Sequence, residues 1–367
     1  MALDSEIRHD PGHGSPVRLR LVLALGVLAG ILGMWVGTGR NPQHAWSIFL
    51  ANFLFWSGIG AAGPVFAAIL DITHARWPGS LRRLALSFGA FLPVSVGLLL
   101  LFGLGLPWLY PWVEHPPAGR AVWFQPRFFV LRDCAALLIV TLAAFAFAGF
   151  GSRARPPGSR SGRAVFLLLV YPFAFSLVAV DLVMSLTPTW VSTLFPAYFF
   201  MGNIFAAVAA LLPAGLVGHR VAVSDRQAHD LGKILLGFSM LWAYLFWSQY
   251  LVIWYGNIGE EIQFLLARSG PGWQVVSWTV LALCFAVPFV LLLSRAMKHP
   301  APLRALSWIV LAGIWLERVL LVAPAVESEP VLAAADLPVT IGFAALFAHC
   351  RLEIGDRLWP PEEPGAV

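Results

Sequence analysis

Ten runs of roughly twenty apolar residues constrain this chain before any motif is considered. They lie at 19–38, 45–70, 82–106, 128–150, 164–184, 191–218, 233–256, 273–296, 303–323 and 330–350. A helix crossing a bilayer core needs ~20 apolar residues, and in lipid a span must satisfy its backbone hydrogen bonds internally. The connections between the runs are too short for a soluble domain. Only 12% of the residues are charged, against about a quarter in a soluble domain. The expected fold is an all-α polytopic membrane protein of about ten transmembrane helices. Its parts are an N-terminal tail at 1–18, a membrane domain at 19–350 and a C-terminal tail at 351–367. The first run has full spanning length and no clear small-residue cleavage site before a soluble domain, so it reads as a helix and not as a cleaved leader.

Orientation follows from the basic residues. Both tails and the even-numbered loops hold 18 of the 24 Lys and Arg, four of them in "GSRARPPGSRSGR", and the other 6 lie on the side of the odd loops, Arg318 among them within a run. Both tails are therefore expected in the cytoplasm, and the odd loops in the periplasm or exterior. The net charge of +5 is explained by this asymmetry and gives no reason to invoke nucleic acid.

Several chemistries lack their ligands. Cys134, Cys284 and Cys350 are far apart, with no CxxC or CxxCH to hold an iron–sulfur cluster or covalent haem. The nine histidines all fall in tails, loops or helix ends, so no facing pair inside a bundle offers itself to a b-type haem. There is no Walker loop and no nucleophile elbow. Any redox centre of a complex containing this chain is expected in other subunits.

Ionisable residues within spans are costly and mark functional candidates. Asp71 and His74, in "AAILDITHARW", have a spacing that puts them on one helix face at the cytoplasmic end of the second run. They would pass protons; the plain alternative is an interfacial helix end with Asp71 bonded to an arginine such as Arg76. Arg132 and Asp133 open the fourth run, where a carboxylate also suits a helix start. Asp181, in "LVAVDLVMSLTPTW", has few charges near it in sequence and must be neutral, paired or wetted by a cavity. Glu317 and Arg318, in "GIWLERVLLVAP", point about 100° apart on a helix and pair poorly with each other, so each calls for a partner on another helix.

The seventh run ends in "SQYLVIWYGNIGEE". If the helix persists, Tyr250, Trp254, Asn257 and Glu261 line one face, with Ser248 and Gln249 half a turn earlier. Gly256 and Gly259 are expected to end the helix and to leave Glu260 and Glu261 in the aqueous exterior. An aromatic belt explains the Trp and Tyr but leaves Gln249 unexplained. A quinone headgroup or a water chain accounts for all of them.

"SQYLVIWYGNIGEE", with "VDLVMSLTPTWVSTLFPAYFFMGN" upstream, resembles the NrfD/PsrC family of ten-helix quinone-interacting membrane subunits. The likeness extends over nearly all ten runs. It is closest to the ActF group, related to ActC, of alternative complex III, a quinol:cytochrome c oxidoreductase of the respiratory chain. Gly259 stands where that family usually has Pro, and Thr187 and Thr189 stand where an acidic residue and a histidine are common.

The resemblance implies two four-helix bundles, helices 2–5 and 6–9, flanked by helices 1 and 10. The sequence itself shows only a faint internal echo, a Ser-Arg stretch before Pro ("GSRARP", "LSRAMKHP") closing the last helix of each half. The implied location is a bacterial inner membrane. The implied partners are a related ten-helix quinone-binding subunit, a periplasmic iron–sulfur subunit and multihaem cytochrome subunits. Haem and iron–sulfur clusters would sit in those partners, with quinol or menaquinol as substrate.

Two roles are open. In the first, the chain conducts protons or couples their movement to quinol oxidation, through Asp71, His74, Asp133, Asp181, Glu317, Arg318, Glu260 and Glu261. In the second, it binds quinol directly through Asp181, Gln249, Tyr250, Trp254 and Arg318. A secondary transporter would also use charges within the spans, but no matched pair of Gly/Pro-broken helices is visible at the midplane. A scaffold would not need Asp181, Glu317 and Arg318.

Overall fold

The computed structural model describes residues 16–116, 119–149, 158–217, 221–355 and 358. Most of both expected tails lies outside them, as do the arginines Arg153 and Arg155. Ten helices are long and apolar enough to cross a membrane, and no strand occurs among the described residues. The chain is an all-α, multi-pass membrane protein.

The spans are α1 Val17–Arg40, α2 Pro42–Ile72, α3 Ser80–Leu109, α4 Pro126–Ala148, α5 Ser161–Leu186, α6 Phe195–Ala214, α7 Asp225–Gly256, α8 Trp273–Leu293, α9 Pro300–Ala325 and α10 Asp336–Gly355. All ten expected runs coincide with a span. α7 begins eight residues before its expected start, because Ser224 and Gln227 form a capping box. That motif satisfies two backbone N–H groups reciprocally and lets a helix start in polar sequence.

α2 is the central element and is buried along most of its length. It packs on α3, α4 and α5, while α3 meets α4 and α4 meets α5. In the second group α6 meets α7 and α9, α7 meets α8, and α8 meets α9. The groups join where α2 touches α6 and α9 and where α5 touches α6. Small residues permit this approach: a Cβ at Gly58 of α2 would collide with the Asn203 side chain of α6. α1 and α10 pack along each other beside α2. The two Ser-Arg stretches follow α4 and α8, the third helix of each group, and so do not close the last.

The connections alternate between two ends. At one, Gln227 Nε2 donates to Pro78 O at 3.2 Å, joining the start of α7 to the α2–α3 turn. At the other, Trp273 Nε1 donates to Glu327 O at 3.2 Å, joining the α7–α8 and α9–α10 connections. These are called below the α2–α3 end and the α7–α8 end.

Candidate functional site

A cavity of about 970 Å³ opens among α7, α8, α9 and the short helix Gln263–Ser269 of the α7–α8 connection. Its walls are largely aromatic and aliphatic, and its polar lining includes Gln249, Tyr250, Tyr198, Arg268 and Glu317. Trp254, Trp247 and Trp278 also line it and are exposed on the outer face of α7 and α8. The cavity therefore borders the surface that would meet lipid.

Beside the buried Tyr198, three of its polar side chains stand out as more than nine-tenths buried: Gln249 and Arg268 at 8% exposure and Glu317 at 1%. Each keeps a buried polar atom without a hydrogen-bond partner, Gln249 Oε1, Arg268 Nε and Glu317 Oε2. Buried polar groups are normally satisfied, so three exceptions around one cavity mark its polar end.

Glu317 is held from other helices, as its sequence position implied. Trp242 Nε1 of α7 donates to Glu317 Oε1 at 3.1 Å, and the Tyr198 hydroxyl of α6 faces the same carboxylate. Arg318 donates to Asn203 Oδ1 at 2.9 Å and lies 4.3 Å from the Phe199 ring centre. Its Nη1 also reaches Glu317 Oε2 at 3.4 Å. The neighbours do meet, because a long guanidinium can fold back along its helix, though at a distance longer than a good hydrogen bond.

Arg268 is a residue that sequence reasoning passed over. Its Nη1 donates to Phe264 O at 2.7 Å and its Nη2 to Leu321 O at 2.8 Å, and its guanidinium lies 3.5 Å from the Phe264 ring centre. Burial pulls it down to about 9, against a smaller upward influence from Tyr198. It stays charged at neutral pH. The apolar "FLLARSG" hides it in a loop, and nothing in the sequence says that this loop folds over the spans.

A second cluster lies in the other helix group. Asp181 sits in a π-helical turn, Ala179–Val183, of α5. Such turns are rare and recur at functional sites. Arg132 Nε donates to Asp181 Oδ2 at 2.8 Å, Arg132 Nη2 lies 2.6 Å from the same oxygen, and Trp123 Nε1 donates to Oδ1 at 3.1 Å. The Arg132 guanidinium stacks 3.7 Å from the Trp123 ring centre. Tyr110 and Trp112 donate to the carbonyls of Leu182 and Ser185, at 2.8 and 3.1 Å, which satisfies backbone acceptors where the helix is irregular.

Asp133 is fully buried, and neither carboxyl oxygen meets a hydrogen-bond donor. It faces the Asp181 carboxyl. Two carboxyls can hydrogen-bond only when one carries a proton. The first turn of α4 holds no acidic residue, so Asp133 is not a helix-start carboxylate.

Four expectations need correction. α2 ends at Ile72, and His74 is exposed with φ of 52°. Asp71 and His74 therefore do not share a helix face. Asp71 is held by Arg82 Nε and Nη2 at 2.5 and 2.7 Å, so an arginine does hold it, as the plain alternative had it, but that arginine is Arg82 rather than Arg76. α7 stops at Gly256 and is capped by Asn257 with φ of 47°, so the expected face breaks there and an asparagine, not a glycine, takes the left-handed position. Asn tolerates it through its short polar side chain. Beyond the cap, Glu260 is exposed and Glu261 half-buried. Last, Asp181 and Arg318 are not among the cavity's lining, whereas Gln249, Tyr250 and Trp254 are. Asp181 belongs to the other helix group, and Arg318 stands behind Glu317.

His44, dismissed as a helix-end histidine, is buried at the α7–α8 end. Its Nδ1 lies 2.7 Å from Glu327 Oε1 and its Nε2 2.8 Å from Asp336 Oδ1. It thereby fastens α2 to the α9–α10 connection and the start of α10. Among the described residues no group of His, Cys, Asp and Glu is arranged to hold a metal ion. Neither a family model nor a curated protein matches the chain.

Proposed function

We propose that the chain is the membrane subunit of a quinol-oxidising redox complex of the NrfD/PsrC kind, and that quinol binds in the α7–α9 cavity. The cavity carries this reading. It is large enough for an aromatic headgroup, since ligand pockets span ~300–1,000 Å³, and it borders the outer face of α7 and α8. It gathers three buried, incompletely satisfied polar side chains at one site. Gln249 and Tyr250 orient the headgroup, and Glu317 accepts a hydroxyl proton. Electrons pass to a partner carrying iron–sulfur clusters or haem, on the side where the α7–α8 connection lies. That side is the periplasm, with both tails in the cytoplasm of a bacterial inner-membrane protein. The resemblance to the ActF group of alternative complex III supports the same choice of substrate and partners.

The test uses the full chain in nanodiscs with a short-tail quinol, followed by quenching of tryptophan fluorescence. Trp247, Trp254 and Trp278 line the cavity. Gln249→Leu should weaken binding about tenfold, the effect of roughly one lost buried hydrogen bond. Ala243→Phe, which fills the cavity, should abolish it. Equal quenching of wild type and both variants would overturn the assignment.

A second reading rests on Asp133. A buried carboxyl without a donor, facing a second carboxyl beside a π-helical turn, suits a proton-relay step. The chain would then couple proton movement to quinol oxidation through α4 and α5. At the α2–α3 end Asp71 is paired with Arg82 and His74 is exposed, so this reading rests on the α4–α5 cluster and not on those two residues.

A further inference from the structure

Arg82, Arg132 and Arg318 each have a carboxylate within 4.0 Å, from Asp71, Asp181 and Glu317. Arg268 has none among the described residues. Its two terminal nitrogens are held by backbone carbonyls, its Nε is unpartnered, and it is 92% buried in the wall of a largely apolar cavity. Carbonyl dipoles solvate a guanidinium without neutralising it, and an uncompensated buried charge is costly. The site is also built to hold this charge in place. Ser277 Oγ of α8 donates to Arg268 O at 3.1 Å, and Leu321 O belongs to α9. The short helix is thus pinned to two spans, and Arg268 lines the cavity they enclose.

We infer that Arg268 is the counter-ion for an oxyanion that forms on the bound ligand. The inference rests on the reading of the cavity as a quinol site and names the chemistry of that site more closely. When the ligand's hydroxyl O–H bond breaks, the proton forms a new O–H bond on the Glu317 carboxylate. The electron pair stays on the ligand oxygen, so the negative charge moves from Glu317 to the ligand. Arg268 and Glu317 line the same cavity, so the charge is transferred within one enclosed space and the net charge there is unchanged. An ionised phenol-type headgroup is favoured over its neutral form. No electron transfer is needed for this step, which precedes any oxidation.

The experiment uses an alkylated 2-nitrophenol, whose phenolate is coloured, titrated with the full chain in nanodiscs. Bound to wild type, its apparent pKa should fall about one unit or more below its value in protein-free nanodiscs, as expected for an opposite charge within ~4–6 Å. Arg268→Gln should abolish the fall, and Arg268→Lys should retain most of it. The comparison with protein-free nanodiscs stands even if Arg268→Gln does not fold. A probe that binds the cavity but titrates alike on wild type and in empty nanodiscs overturns the role of Arg268 and leaves the cavity reading intact. Ala243→Phe distinguishes the other failure. If it does not displace the probe, the cavity reading itself falls and this inference with it.

Discussion

Arg132 of α4 and Asp181 of α5 form a buried ion pair, with Nη2 2.6 Å and Nε 2.8 Å from one carboxylate oxygen. Trp123 covers the guanidinium and donates to the other oxygen. The pair closes the α7–α8 end of the first helix group. Removing one partner leaves the other charge buried and alone. Asp181→Asn should therefore cost ~3 kcal/mol or more of stability. Arg132→Gln in the same chain should restore part of that loss, since the two effects are coupled. Thermal unfolding of the single and double variants in detergent measures this. Strictly additive losses would mean that the pair contributes nothing as a pair.

α1 is attached mainly through α10, and the contact depends on missing side chains. A Cβ built on Gly30 would lie 2.7 Å from Gly342 Cα, and one on Gly33 would lie 2.8 Å from Pro338 Cβ. Small residues allow backbones to approach closely in a bilayer. Gly30→Leu should lower stability by ~1–3 kcal/mol, the usual cost of overpacking. Gly39→Ala is the control, because nothing lies within 4 Å of its added carbon. If Gly30→Leu unfolds at the wild-type temperature, the α1–α10 contact is not close-packed.

The His44 clasp predicts a local effect. His44 is the bridge between Glu327 and Asp336, and Trp273 donates to the Glu327 carbonyl. His44→Ala leaves two half-buried carboxylates without the imidazole that bridges them. The 326–335 connection should loosen, with faster proteolytic cleavage there and a stability loss of ~3 kcal/mol. Because the α7–α8 connection rests against this segment, a slight rise in cleavage near 270 should accompany it. Cleavage unchanged at both places would show that the clasp does not hold the connection.

Much of this architecture follows from the sequence because lipid imposes a simple requirement. Each span must be apolar and long, and all ten runs obey it. The helix starts were less visible, as α7 shows, since Ser224 and Gln227 extend it into polar sequence. The polar candidates Asp133, Asp181, Glu317 and Gln249 were found because charge or amide in a span is conspicuous. Their grouping was not visible, because depth in a span says nothing of which helices are neighbours. Asp181 and Glu317 both read as proton-path candidates, yet they head two separate clusters. Each takes a tryptophan N–H, from Trp123 or Trp242, and each lies beside an arginine. Each also sits on the last helix of its group. This repetition is a matter of side-chain placement and leaves only a faint trace in the order of residues. Arg268 and His44 were missed for the opposite reason. Outside a span or at its first turn, a cation attracts no notice, and its burial depends wholly on tertiary packing.

If the chain works in the proposed quinol-oxidising complex, quinol binding and proton movement separate when that complex is reconstituted in vesicles with quinol oxidation and pH change followed together. The two clusters lie in different helix groups, so a headgroup in the α7–α9 cavity touches Gln249 and Glu317 but not Asp133. Gln249→Leu should raise the apparent KM for quinol about tenfold with little change in kcat, because it removes a contact made before and during reaction. Glu317→Gln keeps the shape and the Trp242 hydrogen bond but cannot take a proton. It should lower kcat by ~100-fold, in the range of general-base contributions. Asp133→Asn should leave KM unaltered. If it also leaves protons per electron unaltered, the α4–α5 cluster is structural; if the ratio falls, that cluster carries the proton movement. Asp71→Asn at the far end, where the carboxylate is committed to Arg82, should alter neither reading. The result that sinks the cavity assignment is a Gln249→Leu complex with wild-type KM while Asp133→Asn raises it, for then the headgroup would have to lie in the first helix group.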